Sequence, residues 1–212
     1  MPNTDTLLGS FAYYAGVDPG KKGAIGLMSS SGTALRVWPM PVKDDGEIDL
    51  NGLRTVYRSL SFLPSLCVGI EWPEAWPGAF NNVIRDAELF GRQKGYLEAF
   101  AFLHHLEFCR VSPVLWKGRL GLDGKTIEGA NQRAAGLFDL YYPSYSTAIR
   151  GSRGGLRDGP LDALLIAHFL RMRGSDGMKS VVKTFGKDSL QAFVTVMGGG
   201  RRKNKFGKRR PA

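Results

Sequence analysis

Four acidic residues of this 212-residue chain stand where carboxylates can work together. Asp18 closes the strand-like run FAYYAGVD (11–18), which Pro19-Gly20 breaks, and Glu71 follows the short apolar run LCVGI (66–70). Asp158 and Asp162, four residues apart at a helix start, share one helical face. Open α/β sheets place their chemistry at such strand ends and helix starts. Carboxylates brought together repel, and an exposed acidic cleft relieves this by taking divalent cations. Mg²⁺, a hard ion that favours oxygen, suits the set, with Mn²⁺ as substitute. Two such ions about 3.5–4 Å apart can polarise a phosphodiester, activate a water and stabilise the leaving oxygen. Taken singly, Asp18 is equally a turn former, Glu71 a solvated strand end and Asp158 a helix cap. The combination carries the reading.

Basic and aromatic residues flank these acids. Lys21 and Lys22 follow Asp18, and Lys117, Arg119 and Lys125 follow the run EFCRVS (107–112); each is a candidate phosphate contact or an ordinary surface base. Trp72, Trp76 and Phe80 lie in a Pro/Gly-rich loop after Glu71. They either stack on unpaired bases or anchor the core. His168 is six residues past Asp162, off the acidic face, and reads as a packed histidine; His104-His105 reads as structural. No P-loop spacing and no Ser/His/Asp arrangement is present.

The elements that must position the acids follow from periodicity. Strands are expected over 11–18, 23–28, 34–42, 66–70 and 107–112, the first two turns being Pro19-Gly20 and Ser-Ser-Ser-Gly. Helices are expected over about 50–63 capped by Asp49, over 79–105, over about 128–141, and from Pro160 to a stop at Gly174. Pro113 is expected to open a loop containing Trp116 and Lys117. Gly91 and Gly95, one turn apart in a helix, each cost about 1 kcal/mol against Ala, which points to close backbone packing. The order β-β-β-α-β-α-β-α-α predicts an α/β fold, a mixed sheet with helices on its faces.

With these elements in place, three strings resemble a known group. Ala15-Gly16-Val17-Asp18-Pro19-Gly20, Val68-Gly69-Ile70-Glu71 and Asp158-Gly159-Pro160-Leu161-Asp162-Ala163-Leu164 look like the acidic motifs of the RuvC-like Holliday junction resolvases. Ser112-Pro113-Val114-Leu115-Trp116-Lys117, the stretch around Asn131–Ala135 and Asp162–Ala167 resemble the chloroplast and phage branches of that family. The likeness spans about residues 14–173. It implies a ribonuclease-H-like fold and a homodimeric, Mg²⁺-dependent endonuclease cutting paired strands of a four-way DNA junction. It also implies two ions per site held by Asp18, Glu71, Asp158 and Asp162, with Lys117 near the scissile phosphate. Where the bacterial enzyme has an aromatic wedge this chain has Glu74, leaving Trp72, Trp76 or Phe80 for that role. The Gly91/Gly95 helix is the candidate dimer interface. A nuclease of the same fold acting on structured RNA, and a non-catalytic nucleic-acid-binding module, are the competing readings.

Charge supports a polyanion partner. The chain has 29 Lys and Arg against 19 Asp and Glu, a net +10, but seven of the bases lie within residues 201–212, Arg201, Arg202 and Lys203 first among them. The chain before Arg201 has 22 against 19, or only +3. A nuclease domain over 11–174, an extension over 175–199 and a flexible basic tail over 200–212 are therefore expected. Two isolated cysteines, no secretory leader pattern and no apolar run of roughly 20 residues predict an intracellular chain, cytoplasmic or nucleoid-associated.

Overall fold

The structure, a computed structural model, describes residues 11–32, 36–72, 83–122, 132, 134–136, 139, 149–150 and 155–185, with side chains from 88 in the third stretch and to 172 in the last. Five strands form one mixed sheet in the order β3-β2-β1-β4-β5. β1 (Tyr13–Asp18), β2 (Ala24–Ser29) and β3 (Arg36–Pro39) make an antiparallel meander, and β4 (Leu66–Glu71) and β5 (Glu107–Val111) add in parallel on the other side of β1. β3 is shorter than the run 34–42 predicted.

Helix α1 (Leu50–Ser61) starts where expected, with the Asp49 carboxylate accepting from Asn51 N–H at 3.0 Å. Helix α2 spans Val83–Leu103, and helix α3 covers Pro113–Arg119. The sequence predicts a loop over the last stretch, yet Pro113 occupies the first helical turn behind an extended Ser112, where proline's missing N–H costs nothing. Helix α4 runs Asp158–Phe185. It passes through Gly174, so the predicted stop there is corrected: one glycine costs a helix about 1 kcal/mol and does not by itself end it. Most of the helix expected over 128–141 lies outside the described residues, as does everything after 185. No described helix is long and apolar enough to cross a membrane.

Alternation along the strands divides the core in two. One face buries Ala15, Val17, Ile25, Val68 and Ile70 against α1 and α2 through Leu53, Val56, Tyr57, Leu60, Leu97 and Ala101. The other buries Tyr14, Met28, Cys67, Cys109 and Val111 against α3 and α4. Gly91 and Gly95 take no part in either layer. Among the described residues a Cβ on either would meet nothing within 4 Å, so close packing against them is not their reason.

Candidate active site

Because strand side chains alternate, Asp18 and Glu71 point to the α4 face together with Gly16 and Gly69 two residues earlier and Tyr14 and Cys67 two earlier again. Each strand therefore presents a bulky residue, a glycine and an acid in successive layers. Across the sheet the glycine layer is continuous, since Gly16 pairs with Gly26 on β2 and with Gly69 on β4.

Helix α4 meets that row through its backbone at Gly16 and Gly26 and through side chains at Gly69. A Cβ on Gly16 would stand 2.0 Å from the Ala163 carbonyl oxygen, one on Gly26 would stand 3.0 Å from Leu164 N, and one on Gly69 would stand 2.6 Å from Leu170 Cδ1. At Gly16 only glycine permits this approach. The first turn of α4 is seated the same way: a Cβ on Gly159 would fall 2.0 Å from the Lys22 carbonyl oxygen in the β1–β2 turn. These contacts set Asp162 beside the ends of β1 and β4. It is partly buried, while Leu161 and every residue from Ala163 to Leu170 are buried.

Asp18, Glu71, Asp162 and Lys117 form one interacting group. The Asp18 carboxyl is hydrogen bonded to Glu71, and burial, then the Glu71 and Asp162 charges, push its pKa up to about 8 against an opposing pull from Lys117. Burial also raises Glu71 and Asp162, with Lys117 partly offsetting both. Glu71 accepts from the Trp116 indole Nε1–H at 3.0 Å, and the Lys117 ammonium donates to Asp162 Oδ2 at 3.2 Å. Burial works against the Lys117 charge, but Asp162, Glu71 and Asp18 outweigh it and hold its pKa above the ordinary lysine value.

Asp158, at the helix start, is exposed and reaches the group through its charge, which adds to the rise at Asp162. Among the described residues no three acidic, histidine or cysteine side chains are already gathered into a cage for an ion. The donor chemistry nonetheless fits a hard divalent cation. One buried and two partly buried carboxylates, close enough to raise one another's pKa, are balanced by a single ammonium and by protons, and all their ligand atoms are oxygen.

The remaining predicted residues are scattered in character. Lys21, exposed, donates to the Asp44 carbonyl at 3.1 Å; Lys22 and Arg119 are exposed. Trp72 packs against the opposite core layer, with Arg110 Cζ 4.0 Å and Lys94 Nζ 4.3 Å from its ring centroid. Its partly buried ring is thus engaged by two cations of the chain. Trp76, Phe80, Lys125, Arg201, Arg202 and Lys203 lie outside the described residues.

Two features escaped the sequence reading. Trp116 was assigned to a loop, and the glycine row went unused although a glycine precedes each strand-ending acid by two residues.

No family model matches the chain, and no curated protein matches it. Solved structures do. The yeast mitochondrial Holliday junction resolvase Ydc2 aligns over 87% of this chain and 90% of its own, at 13% identity and a TM-score of 0.51. The fold is ribonuclease-H-like. RuvC from Thermus thermophilus aligns over 80% of this chain and 97% of its own, at 17% identity and TM-score 0.49 by itself. In complex with a Holliday junction substrate it aligns over the same shares, at 16% and 0.48. In this ribonuclease-H-like core the central strand β1 and its parallel neighbour β4 carry Asp18 and Glu71 at their C-terminal ends, and α4 supplies Asp162 from the face.

Proposed function

We propose that this chain is a divalent-metal-dependent endonuclease that resolves four-way DNA junctions as a homodimer, each active site cutting one of two paired strands. The observation that carries the reading is the convergence of Asp18, Glu71 and Asp162, with Lys117 among them, at one edge of a ribonuclease-H-like sheet. The likeness of its motifs to junction resolvases narrows the substrate from nucleic acid in general to branched DNA. The chloroplast and phage likeness rests on those motifs alone.

Asp18, Glu71, Asp162 and Asp158 would hold Mg²⁺, or Mn²⁺ in its place, as two ions per site. The bound metal supplies charge for the scissile phosphate and an activated water. The chain's own residues set the rest. Burial of the carboxylates keeps the site in low dielectric, where each charge acts more strongly than in water. Lys117 brings an ammonium beside the same group, positioned to meet a phosphate oxygen. Lys21, Lys22 and Arg119, all exposed, offer further bases to phosphate, and residues 201–212 add phosphate contacts whose effect weakens with salt.

The test is cleavage of a synthetic four-way junction beside linear duplex and structured RNA, with and without Mg²⁺, in the wild type and Asp18→Asn. The wild type cuts the junction in symmetric strands only with metal, whereas Asp18→Asn binds it and leaves it intact. Preferential cutting of RNA transfers the assignment to an RNA-processing nuclease. No product at any Mg²⁺ or Mn²⁺ concentration leaves a non-catalytic binding module.

A further inference from the structure

Trp116 is fully buried, yet its indole carries a hydrogen-bond donor that must be satisfied inside the protein. Its partner is a carboxylate rather than a backbone carbonyl: Nε1–H donates to Glu71 Oε1 at 3.0 Å. Glu71 is itself buried and also hydrogen bonded to Asp18, so a chain of contacts runs from the indole through Glu71 to Asp18. The next residue, Lys117, reaches Asp162 at 3.2 Å. Two consecutive side chains of the short helix α3 thus grip two acids from different elements, β4 and α4. Trp116 is held by its backbone as well, its N–H donating to the Ser112 carbonyl at 3.1 Å.

We propose that Trp116 is a positioning residue for metal binding: its indole N–H fixes the Glu71 side chain by one carboxylate oxygen and leaves the other for the cation. The inference rests on the nuclease reading above. A glutamate has three rotatable bonds, and a buried one at a strand end can swing toward Asp18 or away from it. The indole removes that freedom before any ion arrives. Partners of this kind, which orient a ligand without touching the metal, are typically worth about 10–100-fold in metal affinity.

Trp116→Phe keeps an aromatic ring in the core but deletes the donor together with part of the ring volume. Mn²⁺ binding to the full chain without DNA, followed by electron paramagnetic resonance, reads the effect directly. Tenfold or greater weakening in a variant that stays folded and still binds the junction, with its thermal midpoint lowered by the lost ring volume, is the expected result. Wild-type Mn²⁺ affinity in Trp116→Phe overturns the positioning role and leaves the metal site standing. Absence of Mn²⁺ binding in the wild type overturns the nuclease reading and this inference with it.

A second measurement does not rest on the variant's metal affinity. In ¹⁵N-tryptophan-labelled protein the indole resonance that is absent from Trp116→Phe belongs to Trp116, and its response to metal is then read in the wild type. Titration with Mg²⁺ should move that resonance and saturate with metal binding. A resonance unmoved at saturating Mg²⁺ overturns the proposal.

Discussion

The two faces of the sheet solve different problems with the same strands. Toward α1 and α2 the strands offer aliphatic side chains, and the helices stand off at side-chain distance on Leu53, Val56, Tyr57, Leu60 and Leu97. Polar links on that side are ordinary ones: Arg110 holds Glu98 in a two-pronged pair, Nη2 to Oε2 at 2.8 Å, and Gln93 donates to the Gly46 carbonyl at 2.8 Å. Toward α4 the middle layer has no side chains at Gly16, Gly26 and Gly69, so the helix backbone touches the sheet at Gly16 and Gly26 and its side chains fill the space at Gly69. Standing off tolerates variation and builds stability. Backbone contact tolerates almost none, but it sets Asp162 next to Asp18 and Glu71 with little slack.

The sharpest way to break this contrast is one methyl group. Gly16→Ala would drive a Cβ to within 2.0 Å of the Ala163 carbonyl, which no rotamer change relieves, so α4 must move. Destabilisation of roughly 3 kcal/mol or more, at the upper end for overpacking, is expected in urea unfolding. Near-wild-type stability would show that the close approach is not demanded.

The next effect is electrostatic and depends on pH. In the folded, metal-free protein Asp18 keeps its proton to about pH 8, whereas in the unfolded chain it loses it near 3.8. Between those values folding takes up a proton, so stability falls as pH rises, by at most about 1.4 kcal/mol per pH unit. Glu71 and Asp162, raised likewise, contribute with the same sign. Buried His168 acts oppositely: its pKa is lowered to about 4, chiefly by burial, so its contribution is lost as pH falls from 6.5 toward that value. Thermal midpoints in EDTA between pH 6.5 and about 8 therefore decline in the wild type and flatten in Asp18→Asn. A variant as steep as the wild type would remove Asp18 from the account.

The smallest effect comes from the standing-off side. Gly95→Ala, exposed on α2 with open space around it, should stabilise the fold by about 0.5–1 kcal/mol through helix propensity alone. Destabilisation in dilute protein would mean that this surface is covered.

Much of this was written locally. Pro19-Gly20 ends β1 where the sequence placed its end, and Asp49 caps α1 as its side chain predicts. The same local logic gives a loop at Pro113, because a proline after a strand can open a loop or a helix equally well, and the choice lies with the residues it then buries. Trp116 shows this, since its burial depends on α4 and on Glu71, which are remote in sequence.

The chain by itself determined which residues are strands, which acids end them, and that Asp158 and Asp162 share a helical face, because these depend on periods of 2 and 3.6 residues. Only the tertiary structure decided that Gly16, Gly26 and Gly69 align into one row, that α4 rests on it, and that Trp72 turns to the other side among Lys94 and Arg110. Strand register and helix seating are set by contacts between distant segments, and no local pattern contains them.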